Sequence, residues 1–251
     1  MSKIIALFNQ SGGVSKTSLT MNLGYHLAKR KQKVLLVDMD PQASLTTFMG
    51  LEPSELQETV YESIMNGSDA ALRKNLHNMD LLPSNINLSG AELELVMADM
   101  RDCRLKEVID PLSSNYDFIL IDCPPSLGIL SYISLVASTH VLIPIQTEYK
   151  ALKGTELLLQ TIARVRKRAN RKLQIAGVIP TLYDTRTVQA FQSLQSITTS
   201  LEKIGAIYPP VPRTVAFADA SQQHVPLAVY NPKHLAVAVL DTIAQGLLAL
   251  A

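Results

Sequence analysis

The chain has 251 residues, of which 47% are hydrophobic and 18% are charged. This composition is typical of a soluble globular protein and excludes a disordered chain, and the length allows one large domain. With no Trp and only 5% aromatic residues, an aromatic platform for stacking single-stranded bases is not expected. Two cysteines, Cys103 and Cys123, are too few for a disulfide framework or a zinc cage.

The first residues predict an intracellular protein. Residues 1–3 run directly into an apolar stretch and lack the charged start and the cleavage site of a signal peptide. No stretch approaches the roughly 18 uninterrupted apolar residues of a membrane span.

The net charge of +1 conceals an uneven distribution. Residues 1–150 carry 12 Lys/Arg and 17 Asp/Glu, whereas residues 151–251 carry 11 Lys/Arg and 5 Asp/Glu. A basic second part indicates a surface that faces nucleic acid. A solvated basic helix explains the same counts.

Short apolar runs alternate with longer helical stretches along the chain. The pattern predicts strands at 4–8, 34–37, 118–121, 141–143 and 175–179, and a helix at about 16–31. Near-continuous apolar strands are covered by helices on both faces, so we predict an α/β fold with a doubly wound, mostly parallel sheet flanked by helices. The least regular regions, 51–90 and the Pro-rich 207–213, do not resemble linkers, and residues 1–251 are predicted to form a single domain.

A glycine-bearing turn joins the first strand to the first helix. Backbone N–H groups in such a turn, together with the helix N-terminus, bind phosphate. Lys16 is placed to lie between the β- and γ-phosphates, and the Thr17 hydroxyl is placed to ligate Mg²⁺. Gln10 and Ser15 occupy the two glycine positions of the GxxxxGK[ST] consensus, so a turn that only caps the helix is the alternative. The predicted nucleotide-binding residues of this loop are Ser11, Gly12, Gly13, Val14, Ser15, Lys16, Thr17 and Ser18.

Aspartates follow two of the predicted strands. Asp38 and Asp40 come after the second strand, and Asp122 closes the strand at 118–121. Ligands bind at the carboxyl ends of parallel strands, where Asp38 can orient an attacking water and Asp122 can hold a water of the Mg²⁺ shell. An aspartate pair that only caps a loop is the alternative.

Four motifs resemble those of the ParA/MinD family of ATPases, in the family's order, and the resemblance extends over residues 3–231. Residues 11–18 resemble its deviant Walker A box KGGVGKTT, residues 37–42 its VDxDPQ motif, residues 122–128 its DCPPSLG switch, and residues 144–154 its PxQxEYxALxG segment. The resemblance implies a P-loop ATPase that binds ATP/ADP and Mg²⁺ and forms a homodimer with ATP. It also implies that Asp38 is needed for hydrolysis and that Asp40 supports the metal site with Thr17 and, through water, Asp122.

Three positions depart from the family pattern. Ser11 replaces the lysine that reaches across the dimer to the partner's nucleotide, and Ser15 replaces the glycine before the second lysine. Lys150 stands where most relatives carry an aromatic residue. The carboxysome-positioning subgroup, McdA, lacks the loop lysine and uses a lysine from this later region. The resemblance therefore implies that Lys150, with Lys153 as the weaker candidate, supplies the missing charge; a plain surface lysine is the alternative.

Late segments resemble the family's base-binding and DNA-binding regions. Residues 181–186 and 212–214 match segments that wall the adenine, which implies nucleotide contacts from Thr181 and Pro212. Arg186 and Arg213 match the DNA-contacting arginines. A run of six basic residues in nine positions from Arg164 to Lys172 adds the candidates Arg164, Arg166, Lys167, Arg168 and Arg171. No helix-turn-helix module precedes the ATPase, so DNA binding is expected to be non-specific and salt-dependent.

The expected function is a cytoplasmic, nucleoid-associated ATPase switch. The ATP-bound dimer coats DNA, an McdB-like or ParB-like adaptor stimulates hydrolysis, and a large cargo is positioned. The missing loop lysine favours carboxysomes as that cargo. The alternatives are a plasmid or chromosome partitioning ATPase and a nucleotide-binding scaffold without hydrolysis. Residues 235–251 carry no Lys or Arg, so they predict a core-packing or interface helix rather than the basic membrane-binding helix of MinD-like proteins.

Overall fold

The computed structural model describes residues 2–148 and 151–250, and it describes residues 151–153 by their backbone only. The seven strands are β1 Lys3–Leu7, β2 Val34–Asp38, β3 Arg73–Leu76, β4 Met79–Leu82, β5 Phe118–Asp122, β6 His140–Gln146 and β7 Gln174–Thr181. The helices are α1 Lys16–Lys29, α2 Ser44–Phe48, α3 Val60–Asn66, α4 Leu88–Met97, α5 Arg104–Leu112, α6 Ile129–Ala137, α7 Ala151–Arg168, α8 Val188–Leu201, α9 Ala216–Gln222, α10 Leu227–Tyr230 and α11 Leu235–Leu248.

The strands form one sheet in the order β3-β4-β2-β5-β1-β6-β7. Every pairing is parallel except that of β3 with β4. Asp122 is in register with both Leu7 and Asp38, so β1, β2 and β5 end level with one another. The predicted doubly wound, mostly parallel α/β sheet is therefore confirmed.

Alternate residues of the strands pack into two cores, one on each face of the sheet. In β1, Ile4 and Ala6 belong to one core, while Ile5 and Leu7 belong to the other. This two-sided burial is the reason that the central strands are near-continuous apolar runs, as expected for strands covered by helices on both faces.

Two strands in the region 51–90 were missed by the sequence analysis. They are β3 and β4, which form a hairpin through His77 and Asn78. Both of these residues have positive φ, 52° and 64°, as the commonest two-residue hairpin turns require. His-Asn is a weaker turn signal than Asn-Gly, and β3 is mostly polar, so the sequence pattern did not reveal the hairpin.

The C-terminal segment packs against the first helix, as one of the two interpretations of its sequence predicted. Ala236, Leu240 and Ile243 of α11 are fully buried in the core that also contains α1. At the solvent edge of this contact, the Arg30 guanidinium binds both carboxylate oxygens of Asp241 and holds the pKa of that carboxyl at about 2. Among the described residues, no helix is both long enough and apolar enough to cross a bilayer.

Both edges of the sheet are unfavourable for the addition of further strands. On the outer side of β7, the segment 206–211 exchanges backbone hydrogen bonds with Val178 and Pro180. At the opposite edge, β3 has only four residues and carries Arg73 and Lys74. Short, charged or covered edges prevent pairing with other chains.

A β-bulge at Gly177 generates the first prediction. Along β6 and β7 the register steps from Val141–Ile175 to Leu142–Gly177, and Gly177 has a φ of +146°. A Cβ added there would lie 2.6 Å from the Ala206 carbonyl oxygen. We expect Gly177→Ala to lower the free energy of unfolding by about 2–4 kcal/mol, because backbone strain and a backbone clash combine. Urea denaturation measures this change.

Gly67 provides the control for this substitution. Its φ is +67°, but an added Cβ would meet nothing within 4 Å. Gly67→Ala should therefore cost only the left-handed backbone conformation, about 1–2 kcal/mol. Equal losses for the two variants would contradict the role given to the Ala206 contact.

Candidate nucleotide-binding site

The glycine-bearing loop lies at the carboxyl ends of the central strands, between β1 and α1. Gly13 and Ser15 both adopt left-handed backbone conformations, with φ of 71° and 70°. This geometry explains why a glycine is usual at the position of Ser15, since a side chain there strains the backbone. The loop therefore keeps its shape despite the substitution, at a cost of about 1–2 kcal/mol.

Lys16 holds this loop from inside. Its Nζ atom donates to the carbonyl oxygens of Asn9 and Ser11, each at 2.9 Å. Burial lowers the pKa of Lys16, while the nearby Asp122 and Asp40 oppose that shift. An ammonium group has three donors, so one N–H remains for a phosphate oxygen.

Asp38 is fully buried and held by three hydrogen bonds. Its Oδ2 accepts from the Thr46 backbone N at 2.9 Å and from Thr46 Oγ1 at 2.8 Å. Its Oδ1 accepts from the Asp40 backbone N at 3.1 Å. Burial raises the pKa of Asp38 to about 6, against the opposing effect of these hydrogen bonds. The carboxylate is thus fixed in one orientation.

A second layer of hydrogen bonds supports Asp38 from the loop after β4. The Ser84 backbone N donates to Thr46 Oγ1 at 2.9 Å, and Ser84 Oγ donates to the Asp40 carbonyl oxygen at 2.9 Å. The segment that carries Asp38 and Asp40 is therefore tied to the residues that lead into α4.

Asp122 is also buried, but its two carboxylate oxygens accept no well-formed hydrogen bond. Burial and the neighbouring Asp38 raise its pKa well above the ordinary value, while the adjacent Thr17 hydroxyl and Lys16 lower it. A buried carboxylate without full hydrogen bonding is costly unless a ligand satisfies it. This carboxylate beside a hydroxyl fits a hydrated Mg²⁺ ion.

Oxygen ligands suit Mg²⁺, which usually keeps several waters and binds substrate phosphates alongside one or two carboxylates. Among the described residues, no group of three or more His, Cys, Asp or Glu side chains is placed to hold a metal ion. Thr17, Asp40 and Asp122 would accordingly hold Mg²⁺ together with phosphate and water. Cys123, beside them, is buried, which raises the pKa of its thiol to about 12 and agrees with a packing role.

Three polar residues at the site were missed as functional candidates. Gln146 ends β6, and its Nε2 donates to the Gly13 carbonyl oxygen at 2.9 Å. Thr46 and Ser84 hold Asp38 as described above. Gln146 lies inside a segment quoted for its resemblance, and its position at a strand end is the signal that marks it. Thr46 and Ser84 carry no such signal in the sequence.

Of the two predicted base-binding residues, Thr181 contacts the glycine-bearing loop directly. Thr181 ends β7 and is buried, and its Oγ1 donates to the Val14 carbonyl oxygen at 3.3 Å. Pro212 pairs with Tyr183 in a parallel bridge, so it lies next to the segment that follows Thr181.

Lys150 lies outside the described residues, and the side chain of Lys153 is not described. The backbone nearby can be placed: the Gly154 carbonyl oxygen accepts from Gln10 Nε2 at 2.6 Å. The first turn of α7 therefore lies directly beside the loop residue that precedes Ser11.

The predicted DNA-binding residues are all exposed, but they form two separate groups. Arg186 follows the carboxyl end of β7 and is paired to the Asp184 carboxylate at 2.7 Å. Arg213 lies beside this segment, since its backbone N donates to the Tyr183 carbonyl oxygen at 2.9 Å. Arg164, Arg166, Lys167, Arg168 and Arg171 lie at the end of α7 and before the start of β7. The eight residues of β7, about 25 Å in length, lie between the two groups, which are therefore near opposite ends of this strand.

Comparison with known proteins identifies the family of this chain. A family model described as an AAA domain matches residues 2–175. The chromosome-partitioning ATPase Soj of Treponema pallidum is 39% identical over 253 residues, which cover 99% of this chain and 98% of Soj.

Two solved structures share the fold. Cobyrinic acid a,c-diamide synthase of Mycobacterium smegmatis with bound ADP and magnesium is 35% identical, with a TM-score of 0.88 over 99% of this chain and 94% of that one. A Cyanothece McdA–ATP complex is 25% identical, with a TM-score of 0.85 over 98% of this chain and 95% of that one. Since the family model covers more than half of the chain and the Soj identity extends along almost all of it, the chain belongs to the ParA/MinD-like family of P-loop ATPases.

Proposed function

We propose that this protein is an ATP-driven positioning switch. It binds ATP and Mg²⁺, forms a homodimer around the nucleotide, binds nucleoid DNA without sequence preference in the cytoplasm, and is released by hydrolysis that an adaptor protein stimulates. The observation that carries this proposal is the convergence of Lys16 with Asp38, Asp40 and Asp122 where β1, β2 and β5 end together.

Each side chain of the site has its own role in the transfer of the phosphoryl group to water. The N–H groups of residues 12–17 and the free donor of Lys16 bind the phosphates, and Asp122 and Thr17 position the hydrated metal. When bound, Mg²⁺ neutralises charge on the β- and γ-phosphates. Asp38, immobilised by Thr46, orients the attacking water.

Retention of all three carboxylates supports hydrolysis over a scaffold that only binds nucleotide. Asp38 is buried and fixed in one orientation by Thr46, as a residue that orients a water requires. We favour a partitioning ATPase over the synthase reaction that is named for one structural neighbour. The identity is 39% to the partitioning ATPase Soj and 35% to the synthase.

Two cargoes are supported by different observations. Identity of 39% to a chromosome-partitioning ATPase, against 25% to McdA, favours chromosomal or plasmid DNA with a ParB-like adaptor. Ser11 in place of the loop lysine favours carboxysomes with an McdB-like adaptor. The adaptor that accelerates ATP hydrolysis by the purified protein distinguishes the two.

The central test is Asp38→Ala. We expect ATP binding to persist, hydrolysis to fall by at least about 100-fold, and the ATP-bound dimer to accumulate, because the water is no longer oriented. Phosphate release and light scattering with ADP and ATP measure these effects. Asp110→Ala, which removes an exposed carboxylate of α5, should behave like the wild type. Absence of Mg²⁺-dependent ATP binding by the wild-type protein in calorimetry would refute the proposal.

The missing loop charge gives a prediction for Lys150. We expect Lys150→Ala to weaken ATP-induced dimerisation and hydrolysis by about tenfold or more, because it removes the cation that replaces the loop lysine. Lys153→Ala should have the smaller effect, and Lys203→Ala, an exposed lysine after α8, should have none. If Lys150→Ala leaves both properties unchanged, Lys150 is a surface lysine.

The two basic groups give a prediction for DNA binding. Arg186→Ala with Arg213→Ala should weaken DNA binding and reduce the slope of log K against log salt by about 1–2, because phosphate contacts are lost. The double variant Arg168→Ala with Arg171→Ala tests the basic group at the end of α7. Lys106→Ala removes a cation from the acidic part of the chain and serves as the control for both double variants. Gel shifts with ATP and ADP measure binding, and equal affinity in both nucleotide states would contradict gating by the dimer.

A further inference from the structure

Two carbonyl groups of the glycine-bearing loop are held by side chains from neighbouring strands. Gln146 Nε2 donates to the Gly13 carbonyl oxygen at 2.9 Å. Thr181 Oγ1 donates to the Val14 carbonyl oxygen at 3.3 Å. Gln146 and Thr181 are register partners at the ends of β6 and β7, so the two donors reach the loop from adjacent strands. The two peptide groups that they hold, Gly13–Val14 and Val14–Ser15, are called the braced peptides below.

Each braced carbonyl group also fixes the direction of an N–H group. A peptide group is planar, and in the trans form its C=O and N–H bonds point in opposite directions. The described residues contain no cis peptide bond. Because the Gly13 carbonyl points toward Gln146, the Val14 N–H points away from it. Because the Val14 carbonyl points toward Thr181, the Ser15 N–H points away from that side chain.

The N–H groups of Val14 and Ser15 form no hydrogen bond within the part of the chain that the structure describes. Successive backbone N–H groups of a turn make anion-binding concavities. Lys16 contributes to this one in the same way, because it holds the Ser11 carbonyl oxygen at 2.9 Å and so turns the Gly12 N–H to the opposite side. Side chains thus orient the N–H groups of residues 12, 14 and 15.

Ser15 makes the second braced peptide prone to turn over. Its φ of 70° is in the left-handed region, which a side chain disfavours. A flip of the Val14–Ser15 peptide group changes the φ of Ser15 by roughly 180°, into the negative range that serine prefers. The flip would turn the Ser15 N–H away from the phosphate side and the Val14 carbonyl oxygen toward it. A glycine at this position would gain little from the flip, because glycine adopts positive φ readily.

Thr181 opposes this flip from a fixed position. It is fully buried, and its carbonyl oxygen accepts from Thr147 backbone N at 3.0 Å and from Thr147 Oγ1 at 3.2 Å. A flip would break its hydrogen bond to Val14 and leave a buried hydroxyl without its acceptor, which is costly.

We propose that Gln146 and Thr181 are positioning residues for phosphate binding. They hold the N–H groups of Val14 and Ser15 toward the phosphates of ADP or ATP, and Thr181 prevents the peptide flip that Ser15 favours. This inference rests on the proposed function, because it concerns the same nucleotide site.

Calorimetric titration of the full chain with ADP and Mg²⁺ tests the proposal. Thr181→Val removes the hydroxyl at nearly constant volume, and we expect about tenfold weaker ADP binding, because only a minor fraction of molecules keeps the Ser15 N–H in place. Thr181→Ser keeps the hydroxyl and should bind ADP within about twofold of the wild type. Gln146→Met, a change at a partly exposed position, removes the amide donor and should weaken ADP binding by at least about threefold.

Ser15→Gly gives a readout that belongs to the peptide flip alone. In a chain with glycine at this position, we expect Thr181→Val to weaken ADP binding by only about threefold or less, because the flipped peptide is no longer favoured. A role of Thr181 in core packing alone would give the same loss with serine and with glycine.

Steady-state hydrolysis separates positioning from chemistry. In Thr181→Val we expect KM for ATP to rise about tenfold and kcat to stay within about threefold of the wild type, because Asp38 keeps its partners.

Two variants serve as controls. Thr147→Val makes the same change beside Thr181, whose carbonyl oxygen keeps its bond from the Thr147 backbone N, and should leave ADP binding unchanged. Gln160→Met makes the second change at an exposed position of α7, where the amide contacts Glu156, and should also leave it unchanged.

Two outcomes would overturn the positioning role and leave the proposed function standing. One is equal ADP affinity of the wild type, Thr181→Val and Gln146→Met. The other is an equal loss on Thr181→Val with serine and with glycine at position 15. Absence of ADP binding by the wild-type protein is a distinct result, which would refute the proposed function and the positioning role together.

Discussion

The attraction between the buried Lys16 ammonium and the carboxylates around it is the interaction on which the site depends. Lys16 is held by two loop carbonyl groups, and it faces Asp122 and Asp40 with Asp38 close behind. In a low-dielectric interior this surplus of negative charge is costly. Bound Mg²⁺ would relieve this surplus of negative charge, and Lys16 would offset part of the charge of the phosphates, so the arrangement suits a metal–nucleotide complex.

Much of the fold follows from patterns that the sequence shows directly. The buried strands β1, β2, β5, β6 and β7 are apolar because helices cover both faces of the sheet, and all five were predicted within a few residues. The hairpin of β3 and β4 was not, because its turn uses His77 and Asn78 in left-handed conformations that only the folded backbone reveals. The positions of Asp38 and Asp122 at the ends of strands were also visible in the sequence pattern.

The sequence did not reveal the residues that hold the site carboxylates in place without contacting the nucleotide themselves. Thr46 and Ser84 are distant from Asp122 in the chain. They reach the site only because the carboxyl ends of β2, β4 and β5 lie together in the sheet. The separation of the basic residues into two groups has the same origin, since Arg168 and Arg186 lie at opposite ends of β7. Closeness in sequence and closeness in space diverge most where a strand intervenes.

The closed margins of the sheet also limit the kinds of assembly open to this protein. Backbone pairing at β7 is already satisfied by residues 206–211, and the four residues of β3 offer little on the other side. Growth of a continuous intermolecular sheet, the route by which many chains form fibres, is therefore disfavoured on both sides. Association through side-chain surfaces is the route that this architecture favours.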